Sequence, residues 1–380
     1  PFVVRVNDFA VPRASPLPLA VTYNPLAYTT NSSGKVAGDA AEVVARNADP
    51  EGPVQLVKSR LGEWADFLAD HYLTMDSLYH RTNQNWEVLT KLRDDGRLGI
   101  FNLGYWDYFK DEPDAERVWR ETTLPYLKAN YAKAKELGIL DRAYVYGCDE
   151  VETNFFGNIR KCVEILRQEL PGVPIMTTAY DRNFGVGSPL GDIDAFVPLT
   201  IYYKPDRAAV ARAEGRQVWW YICCGPNGSW ANGFTQHPPI DLRMLMGAQT
   251  VRMRPDGFLY YEVTMWNSRR PITRGPFTDW DVRSYADCNG DGCWTAVGPG
   301  GKPLSTVQLE NFRDGLEDYA YALAVEKKLA DHPYGPSANR AKQLLAVPRP
   351  LMDTMKNFSV DPRRLQAWRD EMADLIEREW

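Results

Sequence analysis

Short apolar segments alternate with amphipathic helical patterns along most of this 380-residue chain. Short segments that are apolar throughout are typical of the strands of a parallel sheet that helices cover on both faces. The predicted strands begin at eight positions: Leu17, Leu78, Leu98, Ala143, Val173, Ala195, Gln217 and Gly257. Eight strand–helix units predict an α/β fold, a (β/α)8 TIM-like barrel. A doubly wound sheet is the alternative, but it would be expected to carry an early Gly-rich phosphate loop, and the sequence has none.

Helical patterns separate the strands, and extra helices close the chain. They are predicted over 54–75, 86–92, 114–137, 154–170, 205–213, 240–253, 306–329, 337–345 and 362–379. We therefore predict a single barrel domain over 1–380. It begins with an irregular N-terminal stretch over 1–58 and ends with a C-terminal helical extension over 330–380.

Charge and hydropathy exclude some partners. The net charge of −6 argues against a nucleic-acid partner. The sequence contains no run of about 18 apolar residues, so no membrane span is predicted. A start at Pro1, without Met, is expected of a processed or trimmed chain, from which a signal peptide or a further domain could have been removed. Cys288 and Cys293 bracket a Gly-rich loop and could form a disulfide, which is compatible with an exported protein but does not establish one. The location of the protein stays open, and a secreted or periplasmic one is slightly favoured over a cytoplasmic one.

Two adjacent carboxylates, Asp149 and Glu150, follow the predicted strand 143–148. Like charges side by side repel each other, and burying either one is costly. A simple alternative is an acidic helix N-terminus, where the helix dipole favours carboxylates. In a barrel, however, the active site lies at the carboxyl ends of the strands, which is where this pair falls.

Aromatic and hydrogen-bonding side chains follow most of the other predicted strands. The candidate substrate-binding residues are His80, Asn102, Tyr180, Tyr202, Tyr221, Tyr261 and Trp266. Aromatic rings stack on the apolar faces of sugars, and polar groups bind the hydroxyls, so this ring predicts a carbohydrate site. Each aromatic is equally compatible with packing at a barrel mouth, and His80 with a hydrogen-bonded core histidine.

Two carboxylates are the minimum for glycoside hydrolysis, but they usually lie about 5 to 9 Å apart on different strands. Neighbours such as Asp149 and Glu150 fit better a substrate-assisted mechanism, in which the 2-acetamido oxygen of the sugar attacks the anomeric carbon. Glu150, kept protonated by its charged neighbour and by partial burial, would then be the general acid. Asp149 would orient the acetamide and stabilise the positive oxazolinium.

Several stretches together resemble one known family. They are Asp149-Glu150 after Tyr144-Val145-Tyr146, then 220–226, 256–261 leading to Trp266, 289–292, 313–319 and the opening 4–19. The sequence resembles the catalytic domain of glycoside hydrolase family 123, the β-N-acetylgalactosaminidases. The resemblance implies a (β/α)8 barrel and a retaining mechanism without metal or cofactor, with Asp149 as acetamide stabiliser and Glu150 as acid/base. The chain departs from the family at Val151, where Pro is expected, and in lacking an N-terminal β-sandwich.

The resulting prediction is an exo-acting retaining β-N-acetylgalactosaminidase whose substrate is a glycan or glycoconjugate with a terminal amino sugar. Two alternatives stay open. One is a carbohydrate-binding barrel without hydrolytic activity, in which Asp149 and Glu150 only accept hydrogen bonds. The other is a glycosidase for a sugar that lacks the 2-acetamido group.

Two further patterns have structural interpretations. The stretch 287–292 matches the first half of an EF-hand loop, but Gly298 stands where the bidentate Glu belongs, so a turn or a disulfide-closed loop is favoured over calcium. The charged stretch 313–319 lies in a helix with a clean apolar stripe, which favours packing and buried ion pairs over a site.

Overall fold

The computed structural model describes residues 6–23, 60–264, 288–297, 302–378 and 380. Its parallel strands are short and mostly buried on both faces. They are β1 (Leu19–Val21), β2 (Phe101–Trp106), β3 (Ala143–Gly147), β4 (Ile175–Thr177), β5 (Ala195–Phe196), β6 (Gln217–Val218), β7 (Trp220–Ile222) and β8 (Phe258–Tyr260). The predicted starts at Leu17, Leu98, Ala143, Val173, Ala195, Gln217 and Gly257 each lie within three residues of an observed strand.

The strands form two parallel sheets, with the orders β2-β3-β4-β5-β6 and β1-β8-β7. Strands β6 and β7 are consecutive parts of one extended segment, separated only by Trp219. Tyr221 in β7 also forms a parallel bridge with Leu199, just after β5. One segment thus belongs to both sheets, and the predicted α/β fold with parallel strands is confirmed.

The strand predicted to begin at Leu78 is not a strand in the structure. Only Asp76 forms a bridge, to Thr22 after β1, and the backbone nitrogen of Tyr105 in β2 donates to the His80 carbonyl at 2.8 Å. A side chain replaces the ladder, because the Asn102 amide donates to the carbonyls of Ser77 and Leu78. Segment 76–80 therefore lies between β1 and β2 and is bound to each by isolated hydrogen bonds.

The helices cover the outer side of the strands or follow them at the C-terminus. They are α1 (Leu61–Ala69), α2 (Trp86–Asp94), α3 (Ala115–Thr122), α4 (Leu124–Glu136), α5 (Phe156–Glu169), α6 (Pro205–Ala213), α7 (Ile240–Met244), α8 (Thr250–Met253), α9 (Val307–Asp331), α10 (Pro336–Leu345) and α11 (Pro362–Glu377). A π-helical turn, Leu245–Gln249, joins α7 to α8. Two antiparallel pairs lie outside the parallel sheets: β9 (Thr295–Val297) with β10 (Pro303–Ser305), and β11 (Met352–Thr354) with β12 (Asn357–Phe358).

Two helix predictions differ from the structure. The single helix predicted over 114–137 is interrupted at Thr123, because Pro125 has no N–H to donate and belongs in the first turn of a new helix. The helix predicted over 54–75 is shorter and ends at Ala69. Its residues 54–59, like residues 24–58 of the irregular N-terminal stretch, lie outside the described residues.

Helix α9 packs tightly against α7 and the π-helical turn. A Cβ on Gly315 would lie 2.7 Å from the Arg243 carbonyl oxygen, so glycine permits this close approach. The buried carboxylate of Asp318 pairs with Arg243 at 2.7 Å and with Arg369 of α11 at 3.3 Å. The interpretation of 313–319 as packing with buried ion pairs is confirmed. None of the helices that the structure describes is long and apolar enough to cross a membrane.

The strands have two kinds of buried neighbours. One face packs on the helices in a large apolar core. The other face forms a smaller cluster of buried residues in or beside the strands: Ala20, Leu78, Tyr144, Tyr146, Met176, Ala195, Val197, Trp219, Tyr221 and Leu259. Tyr146 and Tyr221 lie at the carboxyl ends of their strands, so this inner cluster reaches the edge where the carboxylate pair lies.

Candidate active site

The carboxylate pair lies directly after β3, where the backbone takes an unusual path. Cys148 and Glu150 have φ values of +54° and +52°, a conformation that residues other than glycine rarely adopt and that is often found at functional sites. Gly147 precedes them, and a Cβ there would lie 2.2 Å from the Trp106 carbonyl oxygen of β2. The close approach of β2 and β3 therefore requires glycine at the point from which Asp149 and Glu150 project.

Asp149 is held by three hydroxyl groups. Oδ1 accepts hydrogen bonds from Tyr146 at 2.5 Å and from Thr178 at 2.7 Å. Oδ2 accepts one from Tyr79 at 3.2 Å. Burial raises the pKa of both Tyr79 and Tyr146, so these phenols stay protonated and act as donors. An ionised carboxylate, which only accepts, suits these donors, and its orientation is fixed by them.

Glu150 has a different environment from its neighbour. Its backbone nitrogen donates to the Thr178 hydroxyl at 2.9 Å, and its Oε1 accepts a hydrogen bond from the Tyr221 hydroxyl. Tyr180 also forms a side-chain hydrogen bond with it. The residue is nevertheless exposed. The predicted partial burial of Glu150 is therefore wrong, because the left-handed backbone turns the residue out of the strand end.

A cleft of about 110 Å³ opens above the pair. Its lining residues come from several strand ends: Tyr79, Asp149, Glu150, Tyr221, Cys223, Cys224, Leu259 and Tyr261. Behind it lies Asp291, which accepts a hydrogen bond from Tyr260 at 2.9 Å and forms another with Tyr261. Burial raises the pKa of Asp291 to about 6. The cleft thus combines aromatic surface with two carboxylates that line it, and a third carboxylate lies behind it.

The sequence around Asp291 favours a turn or a disulfide-closed loop. In the structure no disulfide joins Cys288 to Cys293. The described residues contain no group of three or more His, Cys, Asp or Glu side chains arranged to hold a metal ion. Asp287 and Gly298, which the calcium alternative would also use, lie outside the described residues.

The sequence-predicted binding residues fall into three groups. Tyr221 and Tyr261 line the cleft, while Tyr180 and Tyr202 line a small hollow that shares Tyr221 with it. Trp266 lies outside the described residues. His80 and Asn102 line neither space.

His80 and Asn102 instead connect backbone segments. The two ring nitrogens of His80 lie 3.1 Å and 3.0 Å from the carbonyl oxygens of Thr82 and Asn102. The Asn102 side chain is fully buried. Its NH2 group donates to carbonyls of segment 76–80, and its oxygen accepts hydrogen bonds from the backbone nitrogens of Gly104 and Tyr146. Both residues thus position the strands beside the cleft, with their polar atoms already hydrogen-bonded.

The catalytic-domain model of glycoside hydrolase family 123 matches residues 35–324 of this sequence. The chain belongs to glycoside hydrolase family 123. It is therefore a glycoside hydrolase by family, and its substrate class is carbohydrate. The resemblance seen in the sequence motifs is confirmed.

One solved structure of the same family has a similar fold. A family 123 glycoside hydrolase from Clostridium perfringens, described in a study of glycolipid glycan hydrolysis, superposes with a TM-score of 0.59 at 12% identity over 97% of this chain and 69% of that one. A malate synthase from Haloferax volcanii, in a pyruvate/acetyl-CoA complex, gives a TM-score of only 0.32 at 10% identity over 89% of this chain and 100% of that one. No curated protein matches the sequence.

Sequence reasoning missed several residues of this candidate site. Tyr79, Tyr146 and Thr178 hold Asp149, and Asp291 lies behind the cleft. A signal existed for Tyr146, because strand periodicity places it on the inner face two residues before Cys148. Thr178 follows β4 directly and could have been found as a polar residue at a strand end. Tyr79 is 70 residues from Asp149 in sequence, and no local pattern connects the two.

Proposed function

We propose that this protein is an exo-acting retaining β-N-acetylhexosaminidase that prefers N-acetylgalactosamine and uses substrate-assisted catalysis. The observation that carries the proposal is the unequal setting of two adjacent carboxylates. Asp149 is fixed by three hydroxyl donors, whereas Glu150 is exposed beside the cleft. One carboxylate is thus arranged as a stationary anion and the other as a group that exchanges protons.

The proposed reaction assigns one role to each carboxylate. The acetamido carbonyl oxygen of the substrate attacks the anomeric carbon as the glycosidic C–O bond breaks, and the leaving oxygen takes the proton of Glu150. Asp149 accepts a hydrogen bond from the acetamide N–H and stabilises the positive charge of the oxazolinium. Glu150 then removes a proton from water, which opens the ring at the anomeric carbon and gives net retention of configuration.

The neighbouring phenols support this division. Tyr146 and Tyr79 donate to Asp149, so the carboxylate is oriented before substrate arrives. Tyr221 and Tyr180 both form hydrogen bonds with the carboxyl group of Glu150 and orient it beside the cleft. The aromatic faces of Tyr79 and Tyr261 line the same cleft and suit a sugar ring.

We also propose that the two sheets close into one (β/α)8 barrel that forms a single catalytic domain over 1–380. Segment 217–222 joins the sheets on one side, and segment 76–80 bonds to both β1 and β2 on the other. Closure would place the carboxyl ends of all strands around the cleft, as the catalytic roles require.

The test uses 4-methylumbelliferyl β-glycosides of N-acetylgalactosamine, N-acetylglucosamine, galactose and glucose. We expect turnover of the acetamido sugars only. Asp149→Asn and Glu150→Gln should each lower kcat by about 10²- to 10⁴-fold. Glu152→Gln, which removes an exposed carboxylate two residues away, is the matched control and should keep wild-type activity.

Azide separates the two roles. It should restore turnover by Glu150→Gln and give a β-glycosyl azide, because azide needs no general base, whereas Asp149→Asn should show no rescue. Equal cleavage of galactosides and N-acetylgalactosaminides would refute substrate assistance. Sugar binding without turnover of any substrate would instead support the carbohydrate-binding alternative.

A further inference from the structure

Arg182 lies near the cleft and, unlike most described arginines of this protein, contacts aromatic rings instead of a carboxylate. Its guanidinium carbon lies 3.5 Å from the ring centroid of Tyr202 and 5.5 Å from that of Tyr180. It forms no ion pair and donates no side-chain hydrogen bond to any residue that the structure describes. Most other described arginines are paired with a carboxylate, for example Arg212 with Asp256 at 2.8 Å. Arg182 is also exposed, so its charge faces solvent.

The adjacent acidic residue does not neutralise Arg182. Asp181 is buried, and its carboxylate accepts hydrogen bonds from the backbone nitrogens of Asn183 at 2.9 Å and Gly185 at 3.1 Å. On the other side, Arg207 of α6 donates to the Arg182 carbonyl at 3.0 Å and fixes the backbone of the loop. The guanidinium is therefore held in place by aromatic stacking and a fixed backbone, with its N–H groups unused by described residues.

Arg182 lies on the Glu150 side of the site. Tyr180, one of its stacking partners, bonds to Glu150, and Tyr221, which donates to Glu150, lines the same hollow as Arg182 and Tyr202. A general acid must reach the oxygen that joins the amino sugar to its leaving group. The surface next to Glu150 and away from Asp149 is therefore the surface that the leaving group meets.

A second stacked arginine lies on the opposite side. Arg81 is 5.2 Å from the ring centroid of Tyr105, whose hydroxyl accepts a hydrogen bond from the Asp149 backbone nitrogen at 3.4 Å. In the proposed mechanism that side holds the acetamido group. Arg182 is thus the cation that is placed to contact the leaving group.

We propose that Arg182, held against Tyr202, recognises a negative charge on the leaving group, so that the preferred substrate joins the amino sugar to an acidic sugar. The assignment of the leaving-group side rests on the proposed function, in which Glu150 is the acid. The charge can be a uronate carboxylate or a sulfate ester, since the guanidinium binds both as a planar donor of two N–H groups. Tyr202 is 40% exposed, and the part of its ring that Arg182 does not cover is available for contact with that sugar.

Binding of the leaving-group sugar tests the proposal without turnover. The probes are methyl β-D-glucuronide, methyl β-D-glucoside 6-sulfate and neutral methyl β-D-glucoside, titrated by ligand-observed NMR. We expect at least one anionic probe to bind wild type about fivefold more tightly than the neutral one, the upper range for an exposed ion pair. Arg182→Gln should abolish this preference and Arg182→Lys should keep part of it. Comparison of the two anionic probes identifies carboxylate or sulfate as the better ligand.

The charge-matched control is Arg340→Gln, which removes an exposed arginine from α10 in the C-terminal extension. It should keep the full preference, which separates a local contact from the effect of net charge. A wild-type protein that binds all three probes equally, or an Arg182→Gln variant that keeps the preference, overturns the proposal.

Turnover distinguishes this inference from the proposed function. With disaccharides that join N-acetylgalactosamine β to glucuronate or to glucose, wild type should show the higher kcat/KM for the glucuronate substrate, and Arg182→Gln should lose that ratio while it still cleaves the neutral one. Cleavage of both disaccharides at equal kcat/KM refutes the role of Arg182 and leaves the glycosidase function intact. Preferential binding of the anionic probes without cleavage refutes the hydrolytic function and leaves the anion site intact.

Discussion

Tyr146→Phe should separate the orientation of Asp149 from the stability of the fold. The substitution removes one hydroxyl from a fully buried ring and leaves its packing unchanged. Asp149 then loses its 2.5 Å hydrogen bond from Tyr146 but keeps those from Thr178 and Tyr79. A hydrogen bond to a charged group contributes about 1.5 to 3 kcal/mol, which corresponds to about 10- to 150-fold in rate. We expect the loss in kcat, because the anion is needed most when positive charge develops on the acetamide.

Tyr144→Phe is a closely matched control. Tyr144 lies two residues earlier in β3, is also buried, and donates to the buried carboxylate Asp76 at 3.2 Å. Both variants lose a phenol–carboxylate hydrogen bond, so their free energies of unfolding in urea should fall by similar amounts. Steady-state kinetics on a 4-methylumbelliferyl acetamido sugar should show the large fall in kcat for Tyr146→Phe only. Equal kcat values for the two variants would refute the role of Tyr146 in positioning Asp149.

Two other substitutions test the structure around the cleft. Gly147→Ala places a Cβ 2.2 Å from the Trp106 carbonyl oxygen, so it should lower the free energy of unfolding in urea by about 1 to 3 kcal/mol and reduce activity. Gly157→Ala in α5, where a Cβ meets no atom within 4 Å, should not destabilise the protein, and equal effects of the two substitutions would contradict the steric argument. Burial raises the pKa of Asp291 from 3.8 to about 6, so its protonated form stabilises the fold. This contribution to the free energy of unfolding is fully present below about pH 4, and about 3 kcal/mol of it is lost as the pH rises through 6. Unfolding free energies of wild type relative to Asp291→Asn should therefore fall between pH 4 and pH 7, and parallel pH profiles would contradict this assignment.

Much of the fold was predictable because its strands are buried on both faces. Strands such as Ala143–Gly147 are buried throughout, and this one ends two residues before Asp149, so the strand and the position of the carboxylate pair follow from a simple pattern. The segment that begins at Leu78 is also predicted as a strand, but the side chain of Asn102 donates to the carbonyls of Ser77 and Leu78. Local sequence does not distinguish these two ways of satisfying a backbone.

The details of the site depend on contacts between distant residues. The exposure of Glu150 follows from left-handed backbone at Cys148 and Glu150, which residue preferences do not predict for these residue types. The contact from Tyr79 to Asp149 depends on how segment 76–80 lies against β2. For the same reason His80 and Asn102, which follow apolar segments as binding residues would, proved to have their polar atoms engaged by the backbone.

The most direct test of substrate assistance is a series of N-acetylgalactosaminides whose acetyl group carries zero, one, two or three fluorine atoms. Fluorine withdraws electrons from the carbonyl oxygen and weakens it as a nucleophile, while the leaving group stays the same. If that oxygen attacks the anomeric carbon, kcat/KM of the wild-type enzyme should decrease steadily with each fluorine, by at least about tenfold across the series, or about 1.4 kcal/mol in the barrier. A kcat/KM that does not change with fluorine content would contradict the mechanism and indicate that the nucleophile comes from the enzyme or from water.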